Sequence, residues 1–174
     1  MNFNQLVKQF GTSQCYEKKS YVFSQGDENQ YIYLVVEGVL KAYYNSEDGR
    51  EYIKTFLFEG DSIASSQALC GGVCSFSLLC LKDTKILKLS YREVRQAAAN
   101  NLETANSIIE LLMSFAMKKE QREFELLCLD AERRYKNLLA KSPDISEHIT
   151  QNNIARYLGI TPVALSRIKN KLSK

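Results

Sequence analysis

A chain of 174 residues, 45% hydrophobic and 25% charged, has room for one ordinary domain and a small second one, with the balance of a soluble globular protein. No apolar run approaches the roughly 18 residues that a membrane span needs, and the first ten residues lack an apolar signal core, so the cytoplasm is the expected compartment. The net charge of +3 is unevenly spread: residues 131–174 carry nine Lys/Arg against three Asp/Glu, a net of +6, while fourteen against seventeen elsewhere give −3, so the tail is expected to meet a polyanion.

The five cysteines, Cys15, Cys70, Cys74, Cys80 and Cys128, are odd in number and follow no secretion signal. Reduced, buried, apolar thiols are the plain expectation. Cys70 and Cys74 are the only close pair and no C-x-x-C occurs, which speaks against tetrahedral zinc. The single histidine, His148, removes most metal-dependent hydrolases and His-based triads. No paired carboxylates, phosphate loop or nucleophile–base set is recognisable, so neither a catalytic residue nor a metal site is expected.

Along the chain, Gly26, Gly38, Gly49 and Gly60 punctuate short runs rich in Tyr, Val, Ile, Phe and Leu, at residues 21–23, 31–36, 39–44 and 52–58. Such spacing predicts an all-β sandwich or barrel. Asp48-Gly49 between two of the runs is a hairpin signal. After a looser stretch at 62–74, strand character resumes at 76–81 and 85–89. The period then changes to helical at 91–99, and a long helix is predicted over 102–128, free of Pro and Gly. Two apolar stripes run along it, Leu102, Ala105, Ile109, Leu112 and Ala116 beside Ile108, Leu111 and Phe115. One stripe suits the β domain and the other a second copy of the helix, with Ile109, Leu112 and Ala116 as dimer contacts. Past Lys118 the helix turns polar, so a short seam is expected. Asp130 is placed to cap a further helix, which Pro143-Asp144 ends.

The decisive segment is 149–172. Ile154, Ala155 and Leu158 form one apolar face, and Gly159 follows where a helix must end in a left-handed residue. Thr161 then caps a second helix that has Pro162 at its first position and Leu165, Ile168 and Leu172 on its inner face. This is a helix-turn-helix. Its second helix presents Val163, Ala164, Ser166, Arg167 and Lys169–Lys171 outward. Arg167 suits a two-pronged bond to guanine, and Lys169, Lys171, Thr150, Gln151 and Thr161 suit phosphates.

On Phe23-Ser-Gln-Gly26, Tyr33-Leu-Val-Val-Glu-Gly38, Asp48-Gly-Arg-Glu51, Glu59-Gly-Asp61, Leu129-Asp130 and Ile154-Ala-Arg-Tyr-Leu-Gly-Ile-Thr161 leading to Ser166-Arg167, the chain resembles the Crp/Fnr family of bacterial transcription regulators over nearly its whole length. The resemblance implies an α+β chain. Residues 1–100 form a cyclic-nucleotide-binding-type β-roll, a jelly-roll-like double-stranded β-helix; 101–129 form a dimerisation helix; 130–174 form the helix-turn-helix domain. It implies double-stranded DNA, a second copy of the chain and RNA polymerase as partners, and an inverted-repeat operator. By family position a small-molecule effector would sit at Ala64, Ser65, Ser66, Ser75 and Phe76, the alternative being a structural loop over an empty or apolar pocket. Relatives that bind cyclic AMP carry Gly-Glu and Arg-Ser where Ala64-Ser65 and Ser75-Phe76 stand; without the arginine a phosphate has no charge-assisted partner, so an effector other than cyclic AMP is expected. The clustered N-terminal cysteines of the oxygen-sensing branch are reduced to Cys15, so no iron–sulfur cluster is expected. Val163 stands where a glutamate is frequent, which predicts a different operator. Lys174 closely follows the recognition helix, so a full wing is expected to be lacking. A competing reading makes the chain a small-molecule receptor whose tail contacts a protein; salt-dependent DNA affinity separates the two.

Overall fold

The computed structural model describes residues 3–172. After α1 (Phe3–Phe10), the described residues form β1 (Thr12–Tyr16), β2 (Tyr21–Phe23), β3 (Tyr31–Glu37), β4 (Leu40–Asn45), β5 (Glu51–Leu57), β6 (Ser62–Ile63), α2 (Ser66–Leu69), β7 (Ser77–Cys80) and β8 (Thr84–Ser90). Pairing is nested: β1 with β8, β2 with β7, β3 with β6 and β4 with β5, all antiparallel. Links of β3 to β8 and of β4 to β7 complete two four-stranded sheets, in the orders β1-β8-β3-β6 and β2-β7-β4-β5. That nesting is the jelly roll expected from the resemblance.

Inside the roll Phe23, Tyr33, Val35, Leu40, Ala42, Leu57, Phe76, Leu78 and Ile86 make one apolar core. Gly38 shows how tightly it closes. Its φ is +105°, and a Cβ there would lie 2.5 Å from the Thr84 hydroxyl oxygen and 2.6 Å from the Asp83 carbonyl, so only glycine lets these two turns meet. The strand runs read from the sequence are observed; α1, β1 and the pieces β6 and α2 within the looser stretch were not anticipated. Phe3, Leu6 and Val7 bury α1 against Leu34 and Leu89, too short an apolar pattern to stand out alone.

Ser90 opens α3 (Tyr91–Asn100) with a capping box, its hydroxyl accepting from Glu93 N–H while the Glu93 carboxylate accepts from Ser90 N–H. Asn101 caps α4 (Leu102–Cys128), accepting from Thr104 N–H at 2.9 Å. At about 1.5 Å per residue α4 is some 40 Å long. Ile108 and Leu111 turn toward the roll, packing with Leu6, Val7, Leu34 and Leu89.

Beyond α4, Asp130 caps α5 (Ala131–Lys141) through Arg133 N–H at 2.8 Å. The single turn α6 (Ile145–His148), not foreseen, leads to α7 (Gln151–Leu158) and α8 (Pro162–Leu172). Tyr135, Leu138, Ile145, Ile149, Ile154, Ala155, Leu158 and Leu165 form the core of this head, continuous with Val39, Tyr43, Ile53 and Phe56 on the outer face of the roll.

Candidate nucleic-acid interface

The α7–α8 unit is fixed by short-range chemistry. The Thr150 hydroxyl accepts from Asn153 N–H at 3.4 Å, and the Thr161 hydroxyl accepts from Ala164 N–H at 3.2 Å. Both threonines therefore spend their side chains as helix caps. Gly159 sits at φ 69°, ψ 31°, the left-handed conformation that closes α7, and Ile160 N–H donates to the Ala155 carbonyl. Leu165 seats α8 on the head core while Val163, 62% exposed, stands out from it. Ser166 and Arg167 are exposed beside Val163, and Ala164 is half-buried.

Gln151, Pro162, Ser166, Lys169 and Asn170 line a cleft of about 250 Å³ between the start of α7 and the side of α8. Of the residues expected to contact DNA, Gln151, Ser166 and Lys169 are brought together there, with Val163 and Arg167 on the same helix. Asn170, one turn beyond Ser166 and within the outward stretch 169–171, lines the cleft as well, although the sequence alone assigns it no contact of its own. Lys171 is differently placed: its ammonium lies 2.6 Å from Glu132 of α5. Hydrogen bonds from Lys171 and Lys136 push the Glu132 carboxyl down to about 2, and the Glu132 partnership raises Lys171. Arg156 likewise meets Glu51 of β5 at 2.5 Å. Part of the tail's positive charge is thus balanced within the chain.

On α4, Ile109 and Leu112 are 56% and 58% exposed, and Ala116 is exposed as well. Leu102, Met113 and Met117 join this outward face. The expected shortness of the stripe needs correcting, because Phe124 and Leu127, 51% and 76% exposed, extend it to the end of the helix. The charged run Lys118–Glu123 hid them in the sequence. Among the described residues no helix is long and apolar enough to cross a membrane, and no cluster of His, Cys, Asp and Glu suited to a metal is present. Cys74 and Cys80 are buried as expected of apolar thiols, but Cys15, Cys70 and Cys128 are exposed, which corrects that reading for three of the five.

Residues 13–101 match the cyclic nucleotide-binding domain family, about half of the chain. The chain belongs to the Crp/Fnr family. It is 24% identical over 172 residues to the regulatory protein HlyX of Actinobacillus pleuropneumoniae, covering 91% of this chain and 70% of that one. It is 27% identical to an anaerobic regulatory protein of Pasteurella multocida, again over 91% of this chain but 62% of the relative. With the cAMP-activated global transcriptional regulator CRP of Pasteurella multocida it shares 24% identity over 90% of this chain and 80% of that one. The chain thus spans about two thirds of the first two relatives. In fold it is similar to FixK2 from Bradyrhizobium japonicum, with a TM-score of 0.81 at 22% identity, covering 94% of this chain and 84% of that one. A similar likeness holds to CooA from Carboxydothermus hydrogenoformans, at 0.77 and 18%, with 97% and 78% covered.

A cyclic nucleotide is the group this Crp/Fnr roll implies, and the residues at the family's pocket positions do not fit it. Phe76, 2% exposed, turns into the core with ring centroids 5.3 Å from Phe23 and 6.3 Å from Tyr44. Ser65 is buried and its hydroxyl accepts from Ser75 N–H at 3.2 Å. Ala64 and Ser75 are half-buried and Ser66 is exposed. None of the five carries a charge to meet a phosphate. The nearby cation, Lys54, lies over the Phe76 ring at 5.4 Å from its centroid.

Proposed function

We propose that this chain is a DNA-binding transcription regulator acting as a homodimer: the exposed stripe of α4 pairs with its copy, and each α8 enters a major groove of an inverted-repeat operator. The observation that carries this reading is α8 itself. It is seated by Leu165 and capped by Thr161, and it holds Val163, Ser166 and Arg167 clear of the head core beside the Gln151–Lys169 cleft. Within a dimer, two such helices must sit about 34 Å apart to meet successive grooves. Arg167 serves base readout, Val163 favours a thymine methyl over a cytosine amine, and Gln151, Lys169 and the helix N-termini serve phosphates. The apolar filling around Phe76 supports a roll that answers to something other than a cyclic nucleotide, or that holds the head without an effector.

Selection of bound fragments from randomised duplex DNA by the purified protein, with and without cyclic AMP, tests this. An inverted repeat is expected under both conditions. Arg167→Ala is expected to lose ~1–3 kcal/mol at one base position of each half-site while the dimer persists. No enrichment under either condition would sink the DNA reading, and enrichment only with the nucleotide would overturn the reading of the roll.

A further inference from the structure

The last turn of α7 leaves four carbonyls without intrahelical donors. Gly159 N–H and Ile160 N–H serve Arg156 and Ala155, at 3.2 and 3.0 Å. The remaining two, on Tyr157 and Leu158, are served by arginines from elsewhere in the chain. Arg134 of α5 donates to the Leu158 carbonyl at 2.9 Å and to the Leu129 carbonyl, at the end of α4, at 2.7 Å. Arg122 of α4 donates to the Tyr157 carbonyl and lays its guanidinium over the Tyr157 ring, 3.8 Å from the centroid. The same ring lies 5.5 Å from that of Phe56 on β5. Tyr157 is therefore the residue at which dimer helix, head and roll meet.

Stability alone is a poor account of this arrangement. Arg122 Nη1 and Arg134 Nε are buried without a hydrogen-bond partner, which costs free energy that an apolar side chain of similar size would avoid. Two cations at a helix C-terminus do suit its dipole, and planar guanidiniums fix direction as well as distance. The two bonds land immediately before the Gly159 turn. A tilt at that point is carried into α8, a lever of about 16 Å at 1.5 Å per residue.

We infer that Arg122 is a positioning residue: it sets the pitch of each head on α4 and thereby the half-site spacing that the dimer accepts. The inference rests on the DNA-binding dimer proposed above. A change of one base pair moves a half-site by about 3.4 Å along the duplex and by roughly a tenth of a turn around it. A rigid pair of heads cannot follow such a change and falls back to one-headed binding, whereas a loosened pair can follow it.

The test uses the full chain, the selected half-site, and three duplex types: a single half-site, the repeat at its selected spacing, and the repeat made one base pair shorter or longer. The wild type is expected to lose about 100-fold on the altered spacings. Arg122→Met keeps the buried stem but removes the cap, and it is expected to lose less than about tenfold there, with its single half-site affinity and melting midpoint close to wild type. Arg122→Lys, which retains a donor but not the flat fork, should fall between. If wild type binds none of the duplexes, the DNA reading itself fails. If wild type is spacing-selective and Arg122→Met is equally so, or if Arg122→Met loses the single half-site as well, the positioning role is overturned and the DNA reading stands.

Discussion

Phe76 and Glu132 each give up something that the fold would otherwise offer. Phe76 fills the roll from within, between Phe23 and Tyr44. Phe76→Ala should cost ~3–5 kcal/mol, the usual range for deleting a buried ring and leaving a cavity. The vacated space is lined mainly by aromatic and aliphatic groups, and the Lys54 ammonium 5.4 Å above the ring is a lone point charge without an arginine's two-pronged fork, so room alone adds little phosphate affinity. Denaturant midpoints of wild type and variant are therefore expected to be the same with and without cyclic AMP; a midpoint raised by the nucleotide in either protein would refute the plugged-roll reading. Glu132 holds Lys171 at 2.6 Å, tethering a recognition-helix cation to α5. Glu132→Ala frees that ammonium and removes a negative charge beside the proposed DNA-binding face. The slope of log affinity against log salt should steepen by about one unit, as one more counterion is released. An unchanged slope would mean that Lys171 does not reach the backbone even when free.

Along α4 the two faces divide the work. Ile108 and Leu111 bind the helix to the roll, while Leu102, Ile109, Leu112, Met113, Met117, Phe124 and Leu127 stand exposed. Paired glutamates, Ile109→Glu with Met113→Glu, place charge in the middle of that stripe and touch nothing on the roll side. They should yield a folded monomer by sedimentation, with affinity for the full operator reduced to that of a single half-site; a dimer that persists would move the interface elsewhere. The end of α4 and the turn from α7 into α8 were legible in the sequence, because Asp130, Gly159, Thr161 and Pro162 act locally on their own backbone. The same holds for the strands between the glycines. What was not legible depends on distant partners. The polar strand β1, Thr-Ser-Gln-Cys-Tyr, is a strand because β8 lies beside it, some 70 residues on. Arg122 and Arg134 read as ordinary surface charges until α7 delivers Tyr157 and Leu158 to them, 35 and 24 residues further along the chain. Phe124 and Leu127 vanish into a charged run whose helical phase alone reveals the face they share with Ile109.

The head is not a bead on a string. Val39, Tyr43, Ile53 and Phe56 on the roll and Tyr135, Ile154, Ala155 and Leu158 in the head belong to one apolar cluster. The Glu51 carboxylate, held within the roll by Lys41 of β4 at 2.7 Å, meets Arg156 of α7 at 2.5 Å across the same boundary. Any movement of the head away from the roll must open this contact and expose its aromatic and aliphatic side chains to water, so the docked arrangement and the fold of each part support one another. One cooperative transition is the consequence. The chain has ten tyrosines and no tryptophan, so tyrosine fluorescence, weighted toward the roll, and far-UV circular dichroism, weighted toward the helices, report on different parts. In a denaturant titration the two signals should trace a single curve. If the proposed dimer forms only from folded chains, the midpoint should rise with protein concentration, and that dependence should vanish in the paired-glutamate variant while the curves stay coincident. If the helical signal instead falls first in the monomeric variant, the head docks on the roll as a separable unit, and the shared core contributes contact without cooperativity.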